Sequence, residues 1–205
     1  RFQVLYDEQV TPEGEVARNG GVLSASMVLS GHEISLYRHK LADGAIDYFT
    51  ANGKSVRKSL LKTPVDGARI SSRFGMRNHP ILGYSKMHKG VDFAAATGTP
   101  ILASGSGTVE FAGKKGGYGN FIKIRHGGQY QTAYAHLSRF AKGISKGDKV
   151  KQGQVIGYVG STGRATGPHL HYEVIAAGKN MNPMKLKFAG RKLDGKELRQ
   201  FEAVK

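Results

Sequence analysis

From Ile101 to Gly160 nearly every run of residues alternates and then stops at glycine. Phe121-Ile122-Lys123-Ile124-Arg125 alternates, Gly127-Gly128 turns the chain, and Gln129 to His136 returns as a second alternating run. Side chains repeat every second residue on a strand, so this spacing predicts antiparallel strands joined by tight turns. The 29 glycines follow no three-residue period and there are only 6 prolines. That combination predicts a turn-rich β protein rather than a collagen-like or disordered chain.

The same grammar runs through residues 1–64. Phe2-Gln3-Val4-Leu5-Tyr6 alternates, Gly20-Gly21 and Asp43-Gly44 have the composition of hairpin turns, and Asn52-Gly53 adds another. We expect a small N-terminal β domain there. Thr63-Pro64-Val65-Asp66-Gly67 punctuates the chain and marks the boundary, with a second domain over 65–205. Within it, Val150 to Val159 reads as a further hairpin, and Ser161 to Pro168 as a loop that delivers His169. Leu193, Leu198 and Phe201 lie at roughly helical spacing, which predicts a short C-terminal helix.

The 205 residues are 39 % hydrophobic, enough to bury a core, and contain no run of 18 apolar residues that would span a membrane as a helix. No cysteine is present, so neither disulfides nor thiolate metal sites are possible. The first residue is Arg1, with no apolar leader, so the chain reads as a processed or trimmed piece. A net charge of +16 points to a polyanionic partner. Lysines and arginines are spread along the chain and no DNA- or RNA-reading motif occurs, so nucleic acid is not expected.

Three short segments carry the chemistry: His88-Lys89-Gly90-Val91-Asp92, Tyr134-Ala135-His136 and His169-Leu170-His171. His169 and His171 share a face of any strand that holds them, and Leu170 takes the other. His88 and Asp92, four apart, share a face in a strand or a helix, and Gly90 between them has no side chain to obstruct an ion. Two imidazoles and a carboxylate are good zinc ligands, and three protein ligands leave a fourth position for water, as in catalytic sites. Zinc chemistry further needs groups that move protons and steady an oxyanion. His136 and His169 are the candidates, and in His169-Leu170-His171 one ring would bind metal while the other faces substrate.

Other motifs fail on inspection. His32-Glu33-Ile34-Ser35-Leu36 begins like a helical zinc motif but has leucine where the second histidine belongs. No nucleotide-binding glycine fingerprint is complete, and neither Ser71 nor Ser161 has an evident acid–histidine partner.

Taken together, His88-Lys89-Gly90-Val91-Asp92-Phe93, Tyr134-Ala135-His136-Leu137 and Gly167-Pro168-His169-Leu170-His171-Tyr172-Glu173 resemble the lysostaphin/LytM-type zinc metallopeptidases, over about residues 66–186. The resemblance implies a compact antiparallel β domain with an open groove. It implies that His88, Asp92 and His171 bind Zn2+ and that His136 and His169 are catalytic. It implies a zinc endopeptidase that hydrolyses peptide cross-links of peptidoglycan, in the periplasm or cell envelope. Residues 1–64 and the tail resemble the accessory region of Gram-negative members, which cut D-alanine–diaminopimelate bonds. His79, Tyr118, Asn120 and Tyr134 are expected to line the groove and touch substrate. Regulatory or activator proteins are further candidate partners. The alternative function is a non-catalytic wall-binding or regulatory module on the same fold.

Overall fold

Alternation and glycine together give sixteen strands among the described residues. The structure, a computed structural model, describes residues 1–42, 44–57, 59–78, 85–127, 130–186 and 190–205. Two units emerge: Arg1–Ser59 with Ala189–Lys205, and Leu60–Phe188. No helix among the described residues is long and apolar enough to cross a membrane.

In the first unit, β1 (Phe2–Val10), β2 (Val16–Leu29), β3 (His32–Lys40) and β4 (Ile46–Thr50) form an antiparallel sheet in chain order. The turn between β1 and β2 lies at Thr11–Glu15, not at Gly20-Gly21. Those glycines sit inside β2 at a bulge, where Tyr6 pairs with Val22 and Glu8 with Asn19, so three steps on one strand match two on the other. The C-terminal helix α1 spans Gly195–Glu202. It does not trail the second unit, as the 65–205 division anticipated. Phe201 and Leu193 are buried in one cluster with Leu41 and Phe49, and Leu198 packs on it. Each fully buried aromatic contributes about 1.5–3 kcal/mol, which accounts for the return of the tail.

The second unit contains β5 (Arg69–Ser72), β6 (Gly75–Asn78), β7 (Ser85–His88), β8 (Val91–Ala94), β9 (Pro100–Leu102) and β10 (Gly107–Lys114). It continues with β11 (Asn120–His126), β12 (Tyr130–Phe140), β13 (Lys149–Val150), β14 (Val155–Val159), β15 (His169–Ala176) and β16 (Lys179–Met181). The main sheet runs β13-β10-β11-β12-β15-β8-β5; β14 pairs with β12 and β9, and β16 with β15. Strands β6 and β7 form a separate hairpin. β11 and β12 pair as expected from the glycine turn, of which Gly128 lies outside the described residues. Val150–Val159 is not a hairpin. Its turn bonds to Ala103 instead: Gly153 donates to the Ala103 carbonyl at 2.9 Å, and Ala103 donates to that of Gln154 at 2.8 Å.

Parity then divides the sheet into two faces. Leu170, Tyr172 and Val174 of β15, Val91 and Phe93 of β8, and Tyr134 of β12 join the large core cluster. On the opposite face stand His169, His171 and Glu173, with Asp92 directly across from His171 in the register.

Candidate active site

Three donor atoms converge at the centre of this outer face. His171 Nδ1 lies 2.8 Å from Asp92 Oδ1, His88 Nε2 lies 3.1 Å from the same oxygen, and the two ring nitrogens are 3.0 Å apart. All three residues are buried. His88 and Asp92 do not share a strand, as their spacing suggested. His88 ends β7, Asp92 belongs to β8, and Lys89-Gly90 carries the chain between two sheets. Gly90 is needed there for a reason other than clearance of an ion. A Cβ on it would meet the Tyr172 carbonyl at 2.4 Å and the His171 ring at 2.9 Å.

The far side of each ring fixes its tautomer. His88 Nδ1–H donates to the Arg73 carbonyl at 2.8 Å, so Nε2 carries the lone pair that faces the centre. His171 Nε2–H donates to Glu173 Oε1 at 2.9 Å, leaving Nδ1 for the centre. Glu173 also accepts from the Tyr118 hydroxyl at 2.9 Å and from Asn180 Nδ2 at 2.8 Å. Burial would raise the Asp92 pKa, but contact with the His171 and His88 rings outweighs it and holds the carboxyl well below its usual range, a balance that belongs to protonated rings and that a bound cation would take over. Burial likewise works against the charge of His171, yet Asp92 and then Glu173 raise it to about 9. Two ring nitrogens and a carboxylate oxygen this close therefore call for a positive charge between them. The separations are near the roughly 3.3 Å ligand edge of a tetrahedron with about 2.0–2.1 Å bonds, so these residues fit a small divalent cation such as zinc.

Two more imidazoles face the same groove, whose volume is about 590 Å³. His136 Nδ1–H donates to the Thr162 carbonyl at 2.8 Å, and His169 Nδ1–H to that of Gly167 at 2.8 Å. Each keeps Nε2 as its second nitrogen. Their ring centroids are 4.7 Å apart, and His169 Nε2 is 4.0 Å from Asp92 Oδ1. Burial lowers the pKa of His136 to about 4, against the pull of the Thr162 carbonyl, so its ring is neutral near neutral pH.

His136 reaches the groove through a bulge. Asn120 pairs with Leu137 and Ile122 with Tyr134, so two steps on β11 match three on β12, and His136 takes φ of +64°. At this point β12 leaves β15, last paired at Ala135–His171, and takes β14, first paired at Leu137–Val159.

Comparison with known proteins agrees with this geometry. The model of peptidase family M23 matches residues 86–183. The catalytic domain of the antimicrobial peptidase lysostaphin from Staphylococcus simulans superposes with a TM-score of 0.53 at 36 % identity, over 58 % of this chain and 91 % of that one. This chain belongs to peptidase family M23. A zinc-containing peptidase from Vibrio cholerae is similar at 33 % identity and a TM-score of 0.60, over 91 % of this chain and 56 % of that chain. Peptidoglycan DD-endopeptidase ShyC of Vibrio cholerae is 41 % identical over 184 residues, 89 % of this chain. The chain spans only 41 % of ShyC's own length.

Within this M23 domain the five expected metal and catalytic residues stand together: His88, Asp92, His136, His169 and His171 all line one groove. The four expected substrate contacts fare differently. Tyr118 lines the groove, its hydroxyl given to Glu173; burial and then the Glu173 charge raise its pKa, so it remains a donor. Asn120 does not. Its amide donates to the carbonyls of Leu137 at 3.0 Å and Ser138 at 3.2 Å, which clamps the bulge that carries His136. Tyr134 is fully buried in the core, its hydroxyl 2.9 Å from that of Thr132, because the bulge lies between it and His136 and reverses their parity. Thr132 and Tyr134 thus both point into the core. His79 lies outside the described residues. Glu173 is not marked by the sequence reading, although its spacing from His171 is the same as that of His169, and neither is Thr162, whose carbonyl holds His136 and which no local pattern marks.

Proposed function

We propose that this M23 chain is a zinc-dependent endopeptidase that hydrolyses peptide cross-links of bacterial peptidoglycan, at D-alanine–diaminopimelate bonds, in the cell envelope. The convergence of His88, Asp92 and His171 beneath two anchored imidazoles carries this reading. His88 Nε2, His171 Nδ1 and Asp92 Oδ1 would hold the zinc. Zinc bound there supplies a Lewis acid that polarises a carbonyl and lowers the pKa of water to about 7.

The chain's own residues do the rest. His136 and His169 each keep Nε2 free to accept, so one ring takes a proton from the attacking water there, and the imidazolium so formed can donate that proton to the developing oxyanion and on to the leaving amine. The carbonyls of Thr162 and Gly167 keep those rings from swinging. Glu173 orients His171 and increases its basicity towards the metal. A wall-binding module without catalysis would need no such pair, so two anchored imidazoles beside the metal ligands favour the enzyme.

Charge supports a wall polymer as partner. Leu60–Phe188 contains 19 of the 31 basic residues and 5 of the 15 acidic ones, a net +14 that leaves +2 for the remainder. Such a surface concentrates an anionic glycopeptide without choosing the bond to be cut. The test is digestion of purified sacculi with mass analysis of the products. New D-alanine carboxyl and diaminopimelate amine ends, lost with a chelator and restored by zinc, are expected. Polymer binding without new ends would replace this reading with the binding module.

A further inference from the structure

We infer that Arg164 is the carboxylate anchor of the groove, a specificity-determining residue that grips the free carboxylate beside the scissile amide. This rests on the endopeptidase reading above and names what in the substrate the groove selects.

Arg164 is an exposed cation on the lining of the groove that Tyr118, His136 and His169 also line. The acids that line the groove among the described residues are Asp92 and Glu173. Asp92 is bound by His88 and His171, and Glu173 by His171, Tyr118 and Asn180. Neither is left for a guanidinium, and no ion pair to Arg164 exists among the described residues.

The side chain is also placed. Arg164 N–H donates to the Gly117 carbonyl at 2.8 Å, and a Cβ on Gly117 would touch Arg164 Cδ and Nε at 3.5 Å. The arginine stem therefore lies over a glycine. The two loops interlock: a Cβ on Gly163 would meet the Gly119 nitrogen at 2.4 Å, and one on Gly119 would meet the Thr162 carbonyl carbon at 2.4 Å. Thr162, two residues before Arg164, anchors His136. The loop that fixes a proton-transfer group thus also fixes a cation at the groove.

Substrate chemistry supplies the counter-charge. In diaminopimelate each amine-bearing carbon also bears a carboxyl group. The nitrogen released from a D-alanine–diaminopimelate bond is therefore one carbon from a carboxylate, unless that group is amidated. A planar guanidinium binds such a carboxylate through two parallel hydrogen bonds. Lys89, also exposed on the lining, is the rival cation.

The experiment compares zinc-loaded wild type, R164Q, R164K and K89Q on a cross-linked tetrapeptide dimer with that carboxylate free or as the primary amide. Wild type is expected to prefer the acid by roughly tenfold in kcat/KM, chiefly through KM. R164Q should bring the acid-to-amide ratio close to one, R164K should restore part of it, and K89Q should keep it. Equal cleavage of acid and amide by wild type overturns the inference while the endopeptidase reading stands. So does an R164Q variant that keeps the preference, or a K89Q variant that loses it. Absence of cleavage of both dimers and of sacculi ends the endopeptidase reading and this inference with it.

Discussion

His171 and Glu173 are joined ring to carboxylate, Nε2 to Oε1 at 2.9 Å, with both side chains buried on the same face of β15. Burial would raise the Glu173 pKa, but the His171 hydrogen bond and charge outweigh it and lower the net value. The pair commits Nδ1 of His171 to the metal side. Glu173→Gln keeps the shape and removes the charge, so zinc affinity should fall about 10- to 100-fold. Competition with a chromophoric chelator measures it. An unchanged affinity would mean that Glu173 has no hold on the ligand.

His136 and His171 should separate metal binding from turnover. His171→Ala is expected to lose zinc and activity together. His136→Ala is expected to retain zinc and lose about 10²- to 10⁴-fold in kcat. Metal analysis beside steady-state rates decides it, and a fully active His136 variant would remove that residue from the proton-transfer pair.

Gly90 touches no metal in our proposal, yet Gly90→Ala should weaken one. The added methyl would lie 2.4 Å from the Tyr172 carbonyl and 3.0 Å from His171 Nε2. Either β15 or the ring must move. We expect at least about a tenfold loss of zinc affinity and about 1–3 kcal/mol of stability from overpacking. Thermal unfolding with and without chelator reads both effects.

His126 predicts acid sensitivity away from the groove. Its Nδ1–H donates to the Ser106 carbonyl at 3.0 Å, and its Nε2 lies 2.7 Å from Thr132 Oγ1 in a buried setting that disfavours the charged ring. Burial lowers its pKa, partly opposed by the Ser106 bond. The unfolded chain therefore binds the proton first. The contribution is complete above about pH 6.5 and erodes as pH falls below that value. Tm should drop between pH 7.5 and 5, less steeply in His126→Gln. Identical slopes for the two proteins would refute it.

The legible part of the site was that written in local spacing. His169 and His171 could be paired because strand parity holds along β15, and the same parity would have reached Glu173. Parity failed on β12 because a bulge depends on how two strands register, and nothing in Tyr134-Ala135-His136 announces one. Spacing therefore points Tyr134 to the groove and Asn120 to substrate, whereas one fills the core and the other clamps the bulge. In the first unit, Gly20-Gly21 has turn composition but serves a bulge, and only the register of β1 against β2 tells them apart. The partner of the tail was equally hidden, since Phe201 finds Phe49 across more than a hundred residues of sequence.

The interlocked glycines at 117, 119 and 163 limit how such an enzyme can be retargeted. An insertion in either loop would slide Thr162 away from His136 as well as Arg164 along the groove. Changes of diet should therefore come by swapping side chains on a loop of constant length, because lengthening it would silence the catalyst before it acquired a new meal.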